Sequence, residues 1–430
     1  MLERLFALET FGIKLGLENI GHLCAALNHP ERAFQVVHVG GTNGKGSVTA
    51  MAHAALVAAG VRAARYTSPH LVDLRERFVV GRTPVDPASL EAATTLVLDC
   101  ADALVSAGTL HAPPTFFEAT TAIAFELFRR ARVEVAVLEV GLGGRFDATN
   151  VIAPVVAAIT SIGLDHQQYL GETIETIAFE KAGIIKSGVP VVIGALPAAA
   201  EAVVRRVASE QRAPVLRADA DAAVLREMSD GRSTIEVTTA AHRYRRITLS
   251  LRGEHQVGNA IVALRLLEEV RAAGVPITFD AIEEGLTQVE WPARLELFVL
   301  RDGRHVLLDA AHNADGAIAL ASYLAQWHPE RPPLVFAAMR DKDITAILRA
   351  LLPVTGIIVA TAPPTPRAAD PDDLAASVSS VDPFRITVVE RDPARAVHRA
   401  LESAPLVCVA GSIFLAGAVR DALHGRAILH

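Results

Sequence analysis

Aromatic residues are scarce in this chain, only 5% of 430 residues, so bulky rings cannot fill its interior. With 51% apolar residues dominated by Ala, Val and Leu, the core must be close-packed aliphatic layers, as in helices laid on a parallel sheet. Charge is sparse as well, at 21%, and the formal net charge of -7 excludes a general nucleic-acid binder. Any anion the protein handles must be met by positive groups gathered locally. Three cysteines, Cys24, Cys100 and Cys408, stand far apart in apolar surroundings. That pattern excludes a disulfide framework or a zinc site and predicts reduced, buried thiols in the cytoplasm. No apolar run is long enough to span a bilayer, because the strongest, residues 188–204, is broken by Pro190, Pro197 and Glu201. The start, Met1-Leu2-Glu3-Arg4, lacks the basic residues and apolar run of a secretory signal. Repeats and low-complexity segments are missing too.

What is present is a βαβ rhythm. Short β-rich runs at Gln35–Val39, Val133–Val140, Val155–Ile162 and Val189–Ile193 alternate with helical patterns, and a second series follows at Val306–Asp309, Leu334–Ala338, Ile357–Ala360 and Leu406–Ala410. Apolar residues recur at helical spacing from Lys45 to Ala59, and Asp86-Pro87 caps another helix. Between Arg217 and Leu251 the pattern turns to alternating segments around Asp230-Gly231, an antiparallel appendage of the first part. The length calls for two domains, and the segment Glu290–Arg294 interrupts the periodicity. The expectation is an α/β protein: an N-terminal P-loop-type, mostly parallel sheet with helices on both faces over 1–290, and a smaller Rossmann-like α/β domain over 291–430.

The strongest motif is Gly40-Gly41-Thr42-Asn43-Gly44-Lys45-Gly46-Ser47, set between an apolar strand and an amphipathic helix. Glycines let backbone N–H groups turn toward phosphate oxygens, the helix N-terminus adds partial positive charge, and Lys45 adds a full one. The usual P-loop spacing fails twice, with Val39 in place of its first Gly and Gly46 in place of Ser or Thr after the lysine. A shorter variant is implied, with nucleotide binding as its purpose. Glu139 closes the strand before Gly141-Leu142-Gly143-Gly144-Arg145, and Asp165-His166 follow the next strand. All then lie at C-terminal strand ends, where open α/β sheets bind ligands. A carboxylate there suits a divalent ion bridging phosphates, whereas His166 reads equally as structural. Spacing alone makes Lys181 a solvated helix lysine, and Asp309 and His312 either ligands or caps of the next helix.

Taken in order, these segments resemble the folylpolyglutamate synthase and dihydrofolate synthase family, a branch of the Mur ligase superfamily. The likeness rests on GTNGKGS at 41–47, TSPHL at 67–71, LEVGLGGRFDATN at 138–150, LDHQQYLG at 164–171, EKAGIIK at 180–186, WPARLE at 291–296 and LLDAAHN at 307–313. The resemblance implies an ATP-dependent carbon–nitrogen ligase that joins L-glutamate to dihydropteroate or a reduced folate. It implies ATP held by Gly41, Thr42, Asn43, Gly44, Lys45, Gly46, Ser47, Asn259, Arg294, Asp309 and His312, with Lys45, His166 and Lys181 serving catalysis. Two Mg2+ sites at Ser68, Glu139, His166 and Lys181 come with it, Lys181 being carbamylated by CO2, and K+ is a further cation. Residues 13–17, including Gly16 and Leu17, then Thr115, Phe116, Phe117, Glu118, Arg145, Phe146 and Asp147, are similar to pterin-side positions. The two phenylalanines also read as core packing. Arg145 and Asp147 look like the bifunctional bacterial pattern.

Chemically, a carboxylate resists an amine because oxide is a poor leaving group, so phosphorylation by ATP must come first, with positioning and electrostatics as the main catalytic devices. A cell-wall peptide ligase of the same superfamily would need a preceding domain, for which the roughly forty residues before the glycine loop are too few. A non-catalytic nucleotide switch would not need Glu139, His166 and Lys181 together. The expected partners are small molecules, with no nucleic acid and no membrane, and the expected state is a cytoplasmic monomer.

Overall fold

The computed structural model describes residues 2–12, 16–219 and 223–425. The pterin-side expectation for residues 13–15 lies outside them. Valine-rich runs, buried on both faces, pair in parallel at the centre of an eight-stranded sheet: β1 (Gln35–Gly40), β2 (Ala63–Tyr66), β3 (Phe78–Val80), β4 (Thr83–Pro84), β5 (Val135–Glu139), β6 (Val156–Ile159), β7 (Val191–Ile193) and β8 (Val215–Arg217). Their order is β4-β3-β2-β5-β1-β6-β7-β8, and only β3 and β4 run antiparallel to their neighbours. The period of two sends Val37, Val39 and Val137 into one core with the helices Lys45–Ala58 and His255–Ala272. On the opposite face, Val36, Ala136 and Leu138 meet the helix Phe116–Arg130, and Ala157 and Ile159 meet the helix Ile174–Ala182. Helices therefore cover both faces, as expected.

The segment read as an antiparallel appendage is a three-stranded sheet, β9 (Ala223–Ser229), β10 (Arg232–Thr238) and β11 (Arg243–Thr248). Asp230 and Gly231 make its first turn, both at positive φ, which fits a two-residue hairpin. Ile235, Val237, Tyr244 and Ile247 pack into the same core as the helix Lys45–Ala58, so the sheet is integral to the first layer.

A six-stranded sheet follows: β12 (Glu296–Val299), β13 (His305–Leu308), β14 (Leu334–Phe336), β15 (Ile358–Ala360), β16 (Thr387–Val389) and β17 (Leu406–Ala410), in the order β12-β13-β17-β14-β15-β16. Only β12 is antiparallel. Cys24 and Cys408 are buried free thiols and Cys100 a half-buried one. Among the described residues no helix is long and apolar enough to cross a membrane.

Strand ends differ from the sequence expectation. Val133–Val140 contracts to Val135–Glu139, losing two residues at its start and one at its end. Strand β2, Ala63-Ala64-Arg65-Tyr66, was not anticipated: Ala and Arg have little preference for strands, and pairing with β5 and β3 imposes the conformation.

Candidate functional site

Loop 40–47 leaves the C-terminal end of β1 and enters the helix Lys45–Ala58. Gly41 (φ +143°) and Gly44 (φ +84°) make the turn. The loop is moored to the segment after β6, where Thr42 N–H donates to Ser161 O (2.8 Å), Asn43 N–H to Ser161 Oγ (2.9 Å) and Thr160 Oγ1 to Asn43 O (2.6 Å). A Cβ at Gly41 would stand 2.1 Å from Thr160 Oγ1. Gly41→Ala is therefore expected to cost about 2 kcal/mol or more through strain and displacement of Thr160, read as a lowered midpoint in thermal unfolding.

Two ammonium groups converge on one carbonyl. Lys45 Nζ donates to Gly41 O (3.1 Å) and Thr42 O (3.0 Å), and Lys181 Nζ donates to the same Gly41 O (2.8 Å). Lys181 is no solvated helix lysine. It is 5% exposed, and burial, followed by the charge of Lys45, pushes its amine down to about 7. The helix Ile174–Ala182 turns this side chain inward, against the face that packs on β6 and β7.

Glu139 ends β5 with its carboxylate buried, accepting a hydrogen bond from Ser68 N–H at 3.2 Å. Burial pushes its carboxyl up, opposed by the charges of Lys45, Arg294 and Arg77. Ser68 and Glu139 are thus together, and the field of Lys45 reaches Glu139, His166 and Lys181 alike. Burial holds His166 and His312 neutral, each pushed down to about 4. Asn259 comes from the other side, where its amide oxygen would lie 2.3 Å from a Cβ on Gly44. Ser47 is buried in the first turn of the helix, and Gly46 faces the indole of Trp291.

The second sheet closes over this loop. Asn313 Nδ2 donates to Asn43 Oδ1 and to Asp165 Oδ2, each at 3.0 Å, while Lys342 Nζ meets Asp165 Oδ1 at 2.5 Å. His312 Nε2 lies 3.8 Å from Asp165, with its Nδ1 on Ala310 O. Burial disfavours the Asp165 charge, yet His166, Lys342 and Asn313 hold it far below the usual carboxylate range. Asp309 spends both oxygens on backbone, Leu295 N–H (2.9 Å) and Ala311 N–H (2.8 Å). It thereby fixes the loop that carries His312 and Asn313, beside Arg294. Sequence reasoning missed Lys342 and Asn313: a lone lysine in Arg340-Asp341-Lys342-Asp343 carries no signal of its distant partner. Removing the ammonium with Lys342→Met leaves an enclosed carboxylate unpaired, with an expected loss of about 3 kcal/mol in chemical denaturation. Asp165→Asn in the same background should restore much of it.

The positions expected on the pterin side gather elsewhere, around loop 141–147 after Glu139. Thr115 and Glu118 form a reciprocal buried capping box at the start of the helix Phe116–Arg130. Phe117 packs on Gly141 and Tyr66, and Phe116 stacks on Phe6 beneath Arg77. Asp147 accepts from Gly141 N–H and Leu142 N–H (3.0 and 2.9 Å), holding the glycine turn in shape. Arg145 lies over Phe146 (4.2 Å) and pairs with Glu180 (2.6 Å). Leu17 joins Phe116 and Phe117 at the edge of the same core, and Gly16 (φ +144°) precedes it in the turn.

Residues 93–267 match the Mur ligase middle domain and residues 293–413 the Mur ligase glutamate ligase domain. The dihydrofolate synthase/folylpolyglutamate synthase of Bacillus subtilis is 35% identical over 96% of this chain and 96% of that relative. The chain belongs to the folylpolyglutamate synthase/dihydrofolate synthase family. Another member, the Mycobacterium tuberculosis enzyme, is 37% identical over 95% of this chain and 90% of its own. Among solved structures of the family, M. tuberculosis folylpolyglutamate synthase complexed with ADP and AMPPCP superimposes with a TM-score of 0.91 at 35% identity, covering 98% of this chain and 97% of that one. Escherichia coli FolC in complex with DHPP and ADP gives 0.86 at 28% identity, covering 99% and 98%. As a member of this family the chain is an ATP-dependent ligase.

Proposed function

We propose that this chain adds L-glutamate to dihydropteroate and to the glutamate tail of folates through an acyl phosphate, with both activities in one site. The observation that carries the reading is the convergence of Lys45, Lys181 and the strand-end carboxylate Glu139 around the glycine loop, roofed by the two loops after β13 and β14 that carry Asn313 and Lys342. Gly41–Ser47 hold the triphosphate of ATP through backbone N–H groups, and Asn259, Arg294 and His312 contact the nucleotide. Asp309 acts through the loop it fixes. Lys45 neutralises charge on the transferring phosphoryl group; the acid carboxylate attacks it, ADP leaves, and the glutamate amine then displaces phosphate from the anhydride. The pteridine is held along loop 141–147 by Phe116, Phe117 and Arg145.

Among the described residues no three His, Cys, Asp or Glu side chains form a metal cage. One buried carboxylate, Glu139, with Ser68 beside it and His166 beyond the end of β6, two strands away, nevertheless suits Mg2+, which keeps waters and takes phosphate oxygens as its other ligands. Bound there, the ion would neutralise phosphate charge. A carbamate on Lys181 would add a further anionic oxygen donor, and two Mg2+ sites and K+ follow from the same likeness. We place the domain division at 290/291, the first unit carrying β1–β11 and the second β12–β17, and assign the protein to the cytoplasm as a monomer.

The test is steady ADP release from purified protein given MgATP, a pteroate or folate, and labelled glutamate. Release that requires both acceptor and glutamate, with label in the product, is expected. Slow release indifferent to either would turn the reading into a nucleotide switch.

A further inference from the structure

A cavity of about 630 Å³ runs from Glu139 and Ser68 outward between the helix Lys45–Ala58, β2 and the segment 288–294. It touches the glycine loop through Gly46 alone and does not include Thr42–Lys45, so it is not the phosphate cradle. Its wall holds an unusual group. The guanidinium of Arg65 is mostly buried, yet among the described residues no carboxylate lies within ion-pair distance, and burial pushes it down to about 10. Its neighbours are the Trp291 ring, 5.2 Å from the guanidinium carbon, and His53 Nδ1 at 3.5 Å. His53 is 2% exposed, and burial, with Arg65 adding to it, pushes its imidazole down to about 3. It is therefore neutral, and a hydrogen bond with the Ala63 backbone acts against the shift.

Two N–H groups of this wall have no acceptor among the described residues: Arg65 Nε and Trp291 Nε1. Enclosed donors without acceptors and an enclosed charge without a counter-charge each cost stability, and such deficits persist where a ligand makes them good. What is lacking is an anion with several acceptor lone pairs. A carboxylate fits, because guanidinium takes it in paired hydrogen bonds. Glu139 and Ser68, beside the glycine loop, line the same cavity as Arg65.

We propose that Arg65, backed by His53 and Trp291, is the subsite for a carboxylate of a glutamate unit, holding it so that the amine end points toward Glu139. The proposal rests on the ligase reading above. The carboxylate comes either from free glutamate or from a residue already in the polyglutamate tail.

Arg65→Gln and Arg65→Lys separate the possibilities by steady-state kinetics on the full chain. With free glutamate as the source, Arg65→Gln raises the glutamate KM by about tenfold or more, kcat stays within about threefold, and Arg65→Lys falls between. With the tail as the source, the KM rises instead for a triglutamyl acceptor and not for a monoglutamyl one. Thermal unfolding is read alongside, since removing an uncompensated buried charge raises the midpoint. A lowered midpoint with every KM unchanged would mean that Arg65 only supports Trp291, and would overturn the proposal. Calorimetry with MgATP should give the same affinity in wild type and variant. If wild type ligates nothing, the ligase reading has failed and glutarate titration reads the subsite directly: binding to wild type and none to Arg65→Gln upholds it, equal or absent binding ends it.

Discussion

Lys181→Ala is expected to lose ligation, with turnover falling by about a thousandfold, and Lys181→Arg to recover none of it. The reason lies in how the amine is held. Its side chain is enclosed, its one hydrogen bond goes to the Gly41 carbonyl, and the Lys45 ammonium acts on it from beside the same oxygen. Two positive groups at one carbonyl repel each other, and burial adds to the pressure, so near pH 7 much of Lys181 is a free amine. A free amine there would attack CO2, forming a nitrogen–carbon bond and releasing one proton, which would leave a carbamate anion. The charge at this point would then change sign and face Lys45 favourably. Arginine cannot follow, because its guanidinium stays protonated at any working pH. Carbon-13 spectra of protein equilibrated with labelled CO2 should show one carbamate resonance in wild type and none in either variant. Wild-type turnover in the Arg variant would remove the carbamate from the mechanism.

Lys45→Ala is expected to lower kcat/KM for ATP by about a hundredfold to a thousandfold, with little change in the unfolding midpoint. Lys45 is half-buried and, among the described residues, bonds only to Gly41 O and Thr42 O of its own loop and sits in no packed core cluster. The loop's shape comes instead from Thr160, Ser161 and the positive-φ glycines, none of which needs the ammonium. Loss of activity without loss of fold is therefore the signature, measured by nucleotide calorimetry beside thermal unfolding. Unchanged ATP affinity and turnover in a folded variant would show that the phosphates lie elsewhere.

Much of this site was legible in the residues because its logic is local. A strand, a glycine turn and a lysine at a helix start are contiguous, and Glu139 and Asp165-His166 fall where apolar runs end. Burial of Lys181 was not legible, since its helix carries Glu175, Glu180 and Lys181 in a mixed pattern whose inward face depends on β6 and β7. The Thr115–Glu118 spacing announces a capping box from sequence alone, and that box engages the polar atoms expected on the pterin side. Pairings such as Asp165 with Lys342, 177 residues apart, leave no trace in local pattern. Strand β2 was hidden by its alanines, and with it the placing of Arg65 opposite Trp291.

The grip of Lys342 and Asn313 on Asp165 has a consequence for motion. Withdrawing two opposite charges from water costs nearly what their attraction returns, so such a contact selects an orientation of the two halves without locking it. Were the halves to part, ammonium and carboxylate would each regain their hydration, so open and closed arrangements would differ little in free energy through this contact. Cargo with even a modest preference for the shut form can then govern which one prevails, and its departure as product lets the jaws relax.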